Sequence, residues 1–194
     1  MLHKNTANKG KIQIKTLPFF GKIRRVAPDD ITFVAFSHQK RVMTNLFRIT
    51  SDNPDFQELV KHLDAELRVR DGDEHAFYSQ FNKIDAIRHA VVAYINNQAV
   101  GCGAIKSYDT ETVEIKRMFV PPVRRGQGIA SQILTDLEEW ATELGFKKCI
   151  LETGYKQPEA IALYTKNGYR AIPNYGQYQN VKNSVCFGKV IAGR

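Results

Sequence analysis

Residues 112–120 read as a strand of alternating character that runs into Arg125-Gly126-Gln127-Gly128-Ile129-Ala130, where an amphipathic helix begins. No other feature restricts the possible folds so tightly, because strand, glycine turn and helix must follow one another within a few residues. Two glycines in the turn remove the Cβ atoms that would hold a ligand away from the backbone. The helix start offers unpaired N–H groups and the positive end of its dipole, which suit a phosphate or diphosphate. Arg124 and Arg125 set fixed positive charge at the same mouth. The bland alternative is a plain strand-to-helix turn. A P-loop would need Gly-Lys-Ser/Thr at the end of the turn, and a dinucleotide fingerprint would need a third glycine or alanine where Ser131 stands. Both are disfavoured.

The elements around this junction follow from periodicity. Leu46–Ile49 reads as a strand, and Phe56, Leu59, Val60, Leu63 and Leu67 recur at helical spacing to about Arg70. A shorter helix is expected over Glu74–Asn82. His89–Ile95 and Ala99–Ser107 form a hairpin about Asn96-Asn97. Ile129, Ile133, Leu134, Leu137, Trp140, Ala141 and Leu144 share one helical face, and Gly145 closes that helix. Cys149–Glu152 is a short buried strand. A helix joins it to the strand over 112–120, so the two should run parallel with a right-handed crossover. Pro158 opens the last helix, and Tyr169–Ile172 and Ser184–Ile191 are the final strands.

Charge is distributed unevenly. The chain of 194 residues carries 28 Lys+Arg and 20 Asp+Glu, a net charge of +8. Residues 1–42 hold nine basic and two acidic residues, whereas residues 43–194 hold nineteen and eighteen. Residues 1–42 therefore read as a basic N-terminal extension to a single domain over 43–194. Three readings of that extension stay open: a disordered basic arm, an ordered packing extension that pairs Ile31–Phe36 as a strand, and a start assigned upstream of Met43. The near-neutral remainder disfavours nucleic acid as a partner. No run approaches 18 apolar residues, so no spanning helix is expected. Cys102, Cys149 and Cys186 sit singly in apolar runs, away from any Cys/His cluster. Buried inert thiols, no metal and a cytoplasmic setting are the expectation.

Arg125, Gly128 and Ala130 meet in full the signature Arg/Gln-x-x-Gly-x-Gly/Ala, so the sequence resembles the GNAT superfamily of acetyl-CoA-dependent N-acetyltransferases. Met118-Phe119-Val120 stands where that family's strand splays and bonds a pantetheine arm. The run Ala160-Ile-Ala-Leu-Tyr164-Thr-Lys-Asn-Gly168-Tyr169 is similar to its second motif. The resemblance implies an α/β (α+β) fold: a mixed, mostly antiparallel sheet of six or seven strands, a parallel splayed central pair, and about four flanking helices. It implies acetyl-CoA as co-substrate. The diphosphate would rest on the amides of Gln127–Ala130, and Arg125, Gly126 and Gln157 would complete the cofactor site. Many relatives carry asparagine where Gln157 stands. It further implies a primary-amine acceptor, here expected to be a small molecule, with direct attack in a ternary complex. A homodimer is a further implication, because family members often pair through sheet edges.

Such a transfer needs a neutral nucleophile, a stabilised oxyanion and a protonated leaving thiolate. A lysine-like amine is neutral in only about one molecule in 2,500 at pH 7, a penalty of roughly 4–5 kcal/mol that a general base relieves. Glu114, six residues before Val120 as in the histone-acetylating relatives, is the expected base. Strand alternation would put Glu114, Lys116 and Met118 on one face. Lys116 beside it argues for an ion pair instead, and Glu152 is the fallback, with His75 and His89 behind. Tyr164 is the general acid that the resemblance implies, and a backbone N–H of Met118 or Phe119 would meet the oxyanion. The acceptor pocket should be walled by Arg70, His75, Phe77, Tyr78 and Phe81 on one side. Asn174, Tyr175, Gln177 and Tyr178 should form the other.

Overall fold

Asn53 starts the first helix by accepting a hydrogen bond from the Phe56 amide at 3.0 Å, and Pro54 occupies the first turn, where its missing N–H costs nothing. The computed structural model describes residues 44–85 and 87–191. Both the 1–42 extension and the strand expected at Ile31–Phe36 lie outside the described residues. In chain order the elements are β1 (Asn45–Ile49), α1 (Pro54–Asp71), α2 (His75–Ser79), β2 (His89–Ile95) and β3 (Gln98–Ser107). There follow β4 (Thr112–Phe119), α3 (Ile129–Glu143), β5 (Lys148–Gly154), α4 (Pro158–Lys166), β6 (Arg170–Ile172) and β7 (Ser184–Val190).

These strands form one seven-stranded sheet in the order β1-β2-β3-β4-β5-β7-β6. Every neighbouring pair is antiparallel except β4 with β5, the parallel pair expected from the intervening helix. The second helix is shorter than expected, a single turn preceded by a 3-10 turn over Gly72–Glu74. Asn96 and Asn97 both adopt positive φ (50° and 61°), the geometry that lets a two-residue turn follow the twist of β2 and β3.

Two apolar layers sandwich the sheet. Ile129, Ile133, Leu134 and Leu137 of α3 pack with Val91, Ile105, Val113 and Ile115 on one face. Phe56, Leu59 and Val60 of α1 pack with Ala90, Val92, Cys102 and Ala104 on the other. Strict alternation along β4 fails between these layers. Arg117 has φ 56°, and the register slips there, so that Arg117 and Met118 together face Gly103. Met118 consequently joins the α3 layer and Phe119 the α1 layer. Glu114 and Met118 therefore do not share a face, contrary to the period-two expectation. Gly103 accommodates the bulge because it has no side chain: a Cβ there would lie 2.9 Å from both Ile133 and Leu137 and collide with the Met118 sulfur.

Candidate active site

β4 and β5 pair at only three positions, Thr112 with Lys148, Val113 with Cys149 and Glu114 with Ile150. Beyond them the strands part. A cavity of about 400 Å³ opens between Ile115–Val120 on one side and Glu152–Gly154 on the other. No residue of β4 after Glu114 pairs with β5, so that edge of the strand faces the gap rather than a partner strand.

One end of this cavity is made of main chain. Gly126 and Gly128 both have positive φ (77° and 80°), which a residue with Cβ adopts at a cost of about 1 kcal/mol or more. Gly128 is the N-cap of α3 and brings no side chain to cap it. The first turn, from Gly128 to Ser131, borders the cavity directly. Uncapped amides at a helix start that open on a cavity fit a diphosphate. Gln127 is not among the lining residues. Arg125 also lines the cavity, yet its guanidinium is engaged. It donates to the Val120 carbonyl at 2.9 Å, to Glu66 at 2.7 Å and to Glu159 at 3.4 Å. Arg70 joins the same two carboxylates, contacting Glu66 at 2.6 Å and pairing with Glu159. The four side chains bridge α1 to α4 across the cavity wall.

At the centre stands Tyr164, 6% exposed, its ring against Tyr169 and Phe187. Burial, and secondarily the charge of Glu152, push its phenol above the usual value, so it stays protonated at pH 7. Gln157 borders the cavity as the N-cap residue of α4, with no capping hydrogen bond from its side chain.

The far end is built from side chains on five separate segments. Glu152 lines it, and so do Asp71, Tyr78, Asn82, Lys116 and Tyr178. Removal from water raises the Glu152 carboxyl to about 7; Glu114 and Asp71 push the same way, while the Ser184 hydroxyl and Lys116 oppose. Ser184 donates to Glu152 Oε1 at 2.6 Å and stands 3.3 Å from the Tyr78 hydroxyl. Glu114 is placed differently. It is 7% exposed, is absent from the cavity lining, and its Oε1 accepts from Lys116 at 3.3 Å and from Tyr175 at 3.0 Å. The sequence-level objection to Glu114 is thus realised as an ion pair, and the fallback Glu152 is the carboxylate that faces the gap. His89 packs edge-on against Trp140, outside the cavity lining. His75 also stays out of the lining, 3.6 Å from Asp71.

Of the expected acceptor walls, Tyr78 and Tyr178 reach the cavity. Phe77 and Phe81 stand behind them in an edge-to-face series with spacings of 5.2–5.9 Å. Asn174 instead ties the loop before β7, donating to Val181 and Ser184 carbonyls. Sequence reasoning missed Ser184, Asp71 and Asn82. Nothing local marks Ser184, whereas the i,i+4 spacing of Glu66 and Arg70 within α1 was a signal that could have marked their pairing.

A mixed sheet opened at its one parallel pair, with a glycine turn at one end of the gap and a carboxylate and phenol further in, has the architecture of an acyltransferase. The sequence profile of the Acetyltransferase (GNAT) family matches residues 56–169, more than half of the 194, and the chain belongs to that family. It is thereby an enzyme of the acyltransferase class, as the sequence resemblance implied. Among curated relatives, the IAA acetyltransferase of Azospirillum brasilense is 42% identical over 90 residues, which are 45% of this chain and 58% of that protein. The chain thus spans under two thirds of that relative's length. A crystal structure from Klebsiella pneumoniae, assigned to the acyl-CoA N-acyltransferases, superposes with a TM-score of 0.65 at 31% identity, covering 77% of this chain and 99% of that one. A GNAT family acetyltransferase of Elizabethkingia anophelis, solved with acetyl-CoA bound, shares the fold with a TM-score of 0.55 at 21% identity over 76% of this chain and 97% of its own. Among the described residues no helix is long and apolar enough to cross a membrane.

Proposed function

We propose that residues 43–194 form one catalytic domain that moves an acetyl group from acetyl-CoA to a small primary amine by direct attack in a ternary complex. The observation that carries this reading is the single cavity bordered by the glycine turn, Tyr164 and Glu152 together. Backbone amides of Gln127–Ala130 hold the diphosphate, and the parted end of β4 around Met118–Val120 lies beside the pantetheine arm. Gly126, Gly128, Ile129 and Gln157 shape the channel, while Arg125 positions its wall through Glu66 and Glu159. The bound co-substrate supplies the thioester.

Glu152 rather than Glu114 takes the proton from the acceptor ammonium, freeing the neutral amine that attacks. A carboxyl with a pKa near 7 is ionised in a large fraction at neutral pH, and it is a stronger base than an ordinary carboxylate. As the nitrogen bonds to the acetyl carbon, a backbone N–H of Met118 or Phe119 meets the developing oxyanion. Tyr164 donates its proton to the sulfur as the carbon–sulfur bond breaks. Glu114 holds Lys116 and Tyr175 in place. We place the reaction in the cytoplasm, in keeping with three free, buried thiols. Two copies pairing through a sheet edge remains part of this proposal.

Calorimetry with acetyl-CoA, followed by thiol release across an amine panel, tests the reading. Uptake of the co-substrate is expected, and Tyr164→Phe should lower kcat by about 10²–10⁴. A well-folded sample that takes up no acetyl-CoA would refute it.

A further inference from the structure

From the charges at the far end of the cavity we infer that the acceptor is a cationic alkyl- or arylalkyl-amine with no acid group next to its reacting nitrogen, rather than an amino acid. This rests on the acetyltransferase reading and deepens it. Asp71 and Glu152 line that end. The cations that line that end with them, Arg117 and Lys116, are both committed, while Lys156, outside the lining, lies close enough to favour the ionised Asp71. The Arg117 guanidinium is 2% exposed and paired with Asp64 on α1. Lys116 lies 3.3 Å from Glu114 and 3.4 Å from the Tyr178 hydroxyl, with its ammonium 5.9 Å from the centroid of that tyrosine's ring. At the α1 side, His75 stands 3.6 Å from Asp71 and, when protonated, offsets that one carboxylate at most.

An acceptor carboxylate inside the cavity would therefore lie among carboxylates where both lining cations are already paired, a like-charge arrangement that rejects as well as selects. An ammonium meets the opposite. The two carboxylates draw it in, and the rings of Tyr78 and Tyr178 on the same wall cover an apolar chain. Glu152, close enough to be coupled to Asp71, then removes the proton in place. Asn82 supplies a neutral polar group on the same wall. The arrangement distinguishes acceptors by what they lack.

The test uses matched pairs that differ by one carboxylate next to the only amine: phenethylamine with phenylalanine, and pentylamine with norleucine. Acetyl-CoA-dependent thiol release is measured for each with the full chain. The member without the carboxylate should show at least a tenfold higher kcat/KM in both pairs. In Asp71→Asn that ratio should narrow several-fold, with circular dichroism confirming the fold. A wild-type preference for the amino acid, or a ratio unchanged in the variant, overturns this inference and leaves the acetyltransferase standing. Absence of thiol release from a broad amine panel overturns the acetyltransferase reading and this inference with it.

Discussion

The two ends of the cavity are made in opposite ways. The end proposed to take the diphosphate is bordered by one short stretch, Gly126 and Gly128 to Ser131, with two glycines of positive φ and a helix start that no side chain caps. The end proposed for the acceptor is assembled from side chains on α1, α2 and the loop after it, β4, β5 and the turn before β7. A local, backbone-built site resists side-chain change but is sensitive to glycine replacement. A dispersed site of ionisable groups behaves in the reverse way, because each carboxylate there is held at a cost in stability.

The largest expected contrast comes from the two glutamates. Glu152→Gln should lower kcat by about 10²–10⁴, whereas Glu114→Gln should lower it less than tenfold. For the wild type, the acid limb of kcat/KM should fall near pH 7, since Glu152 must be ionised to act. The sign of the stability effect is opposite. A carboxyl raised from 4.5 to about 7 in the folded chain binds its proton more tightly than in the unfolded chain, so its contribution is fully present below pH 4.5 and is lost as pH rises to 7. Glu152→Gln should therefore be more stable than wild type at pH 8 by about 3 kcal/mol, read as a higher Tm. Loss of both activity and stability in that variant would break the comparison.

Next in size is the main-chain end. Gly128→Ala forces a Cβ into φ 80°, although nothing lies within 4 Å of the added atom. The cost is conformational alone, about 1–2 kcal/mol. Weaker acetyl-CoA binding by roughly tenfold is expected, with the pH profile unmoved. The smallest effect belongs to Ser184→Ala. Removing a donor from ionised Glu152 should move the acid limb above 7, giving a several-fold loss at pH 7 that is recovered at pH 9. A uniform loss across pH would assign Ser184 a packing role only.

This division also explains what could be read from the chain before its coordinates. The glycine turn, the α3 face and the parallel strands declare themselves within short windows, and the bounds of β2 match the expectation residue for residue. Arg117 carries no local mark of its positive φ, so extrapolating alternation through it misplaced Met118. The choice between Glu114 and Glu152 depended on Ser184, Tyr175 and Asp71, which lie 32 to 81 positions away in sequence from the glutamate each one affects. Contacts of that range leave no periodic trace. Arg125 was legible as a signature residue, but its partners Glu66 and Glu159 were not.

Gly103 never meets the cavity, yet a methyl group there would press on Met118, Ile133 and Leu137 together. The strain would pass to the bulge in β4. An inherited change at this inner position would disable the enzyme as surely as one among its reacting groups, and a search for intolerant sites guided by distance from the chemistry would overlook it.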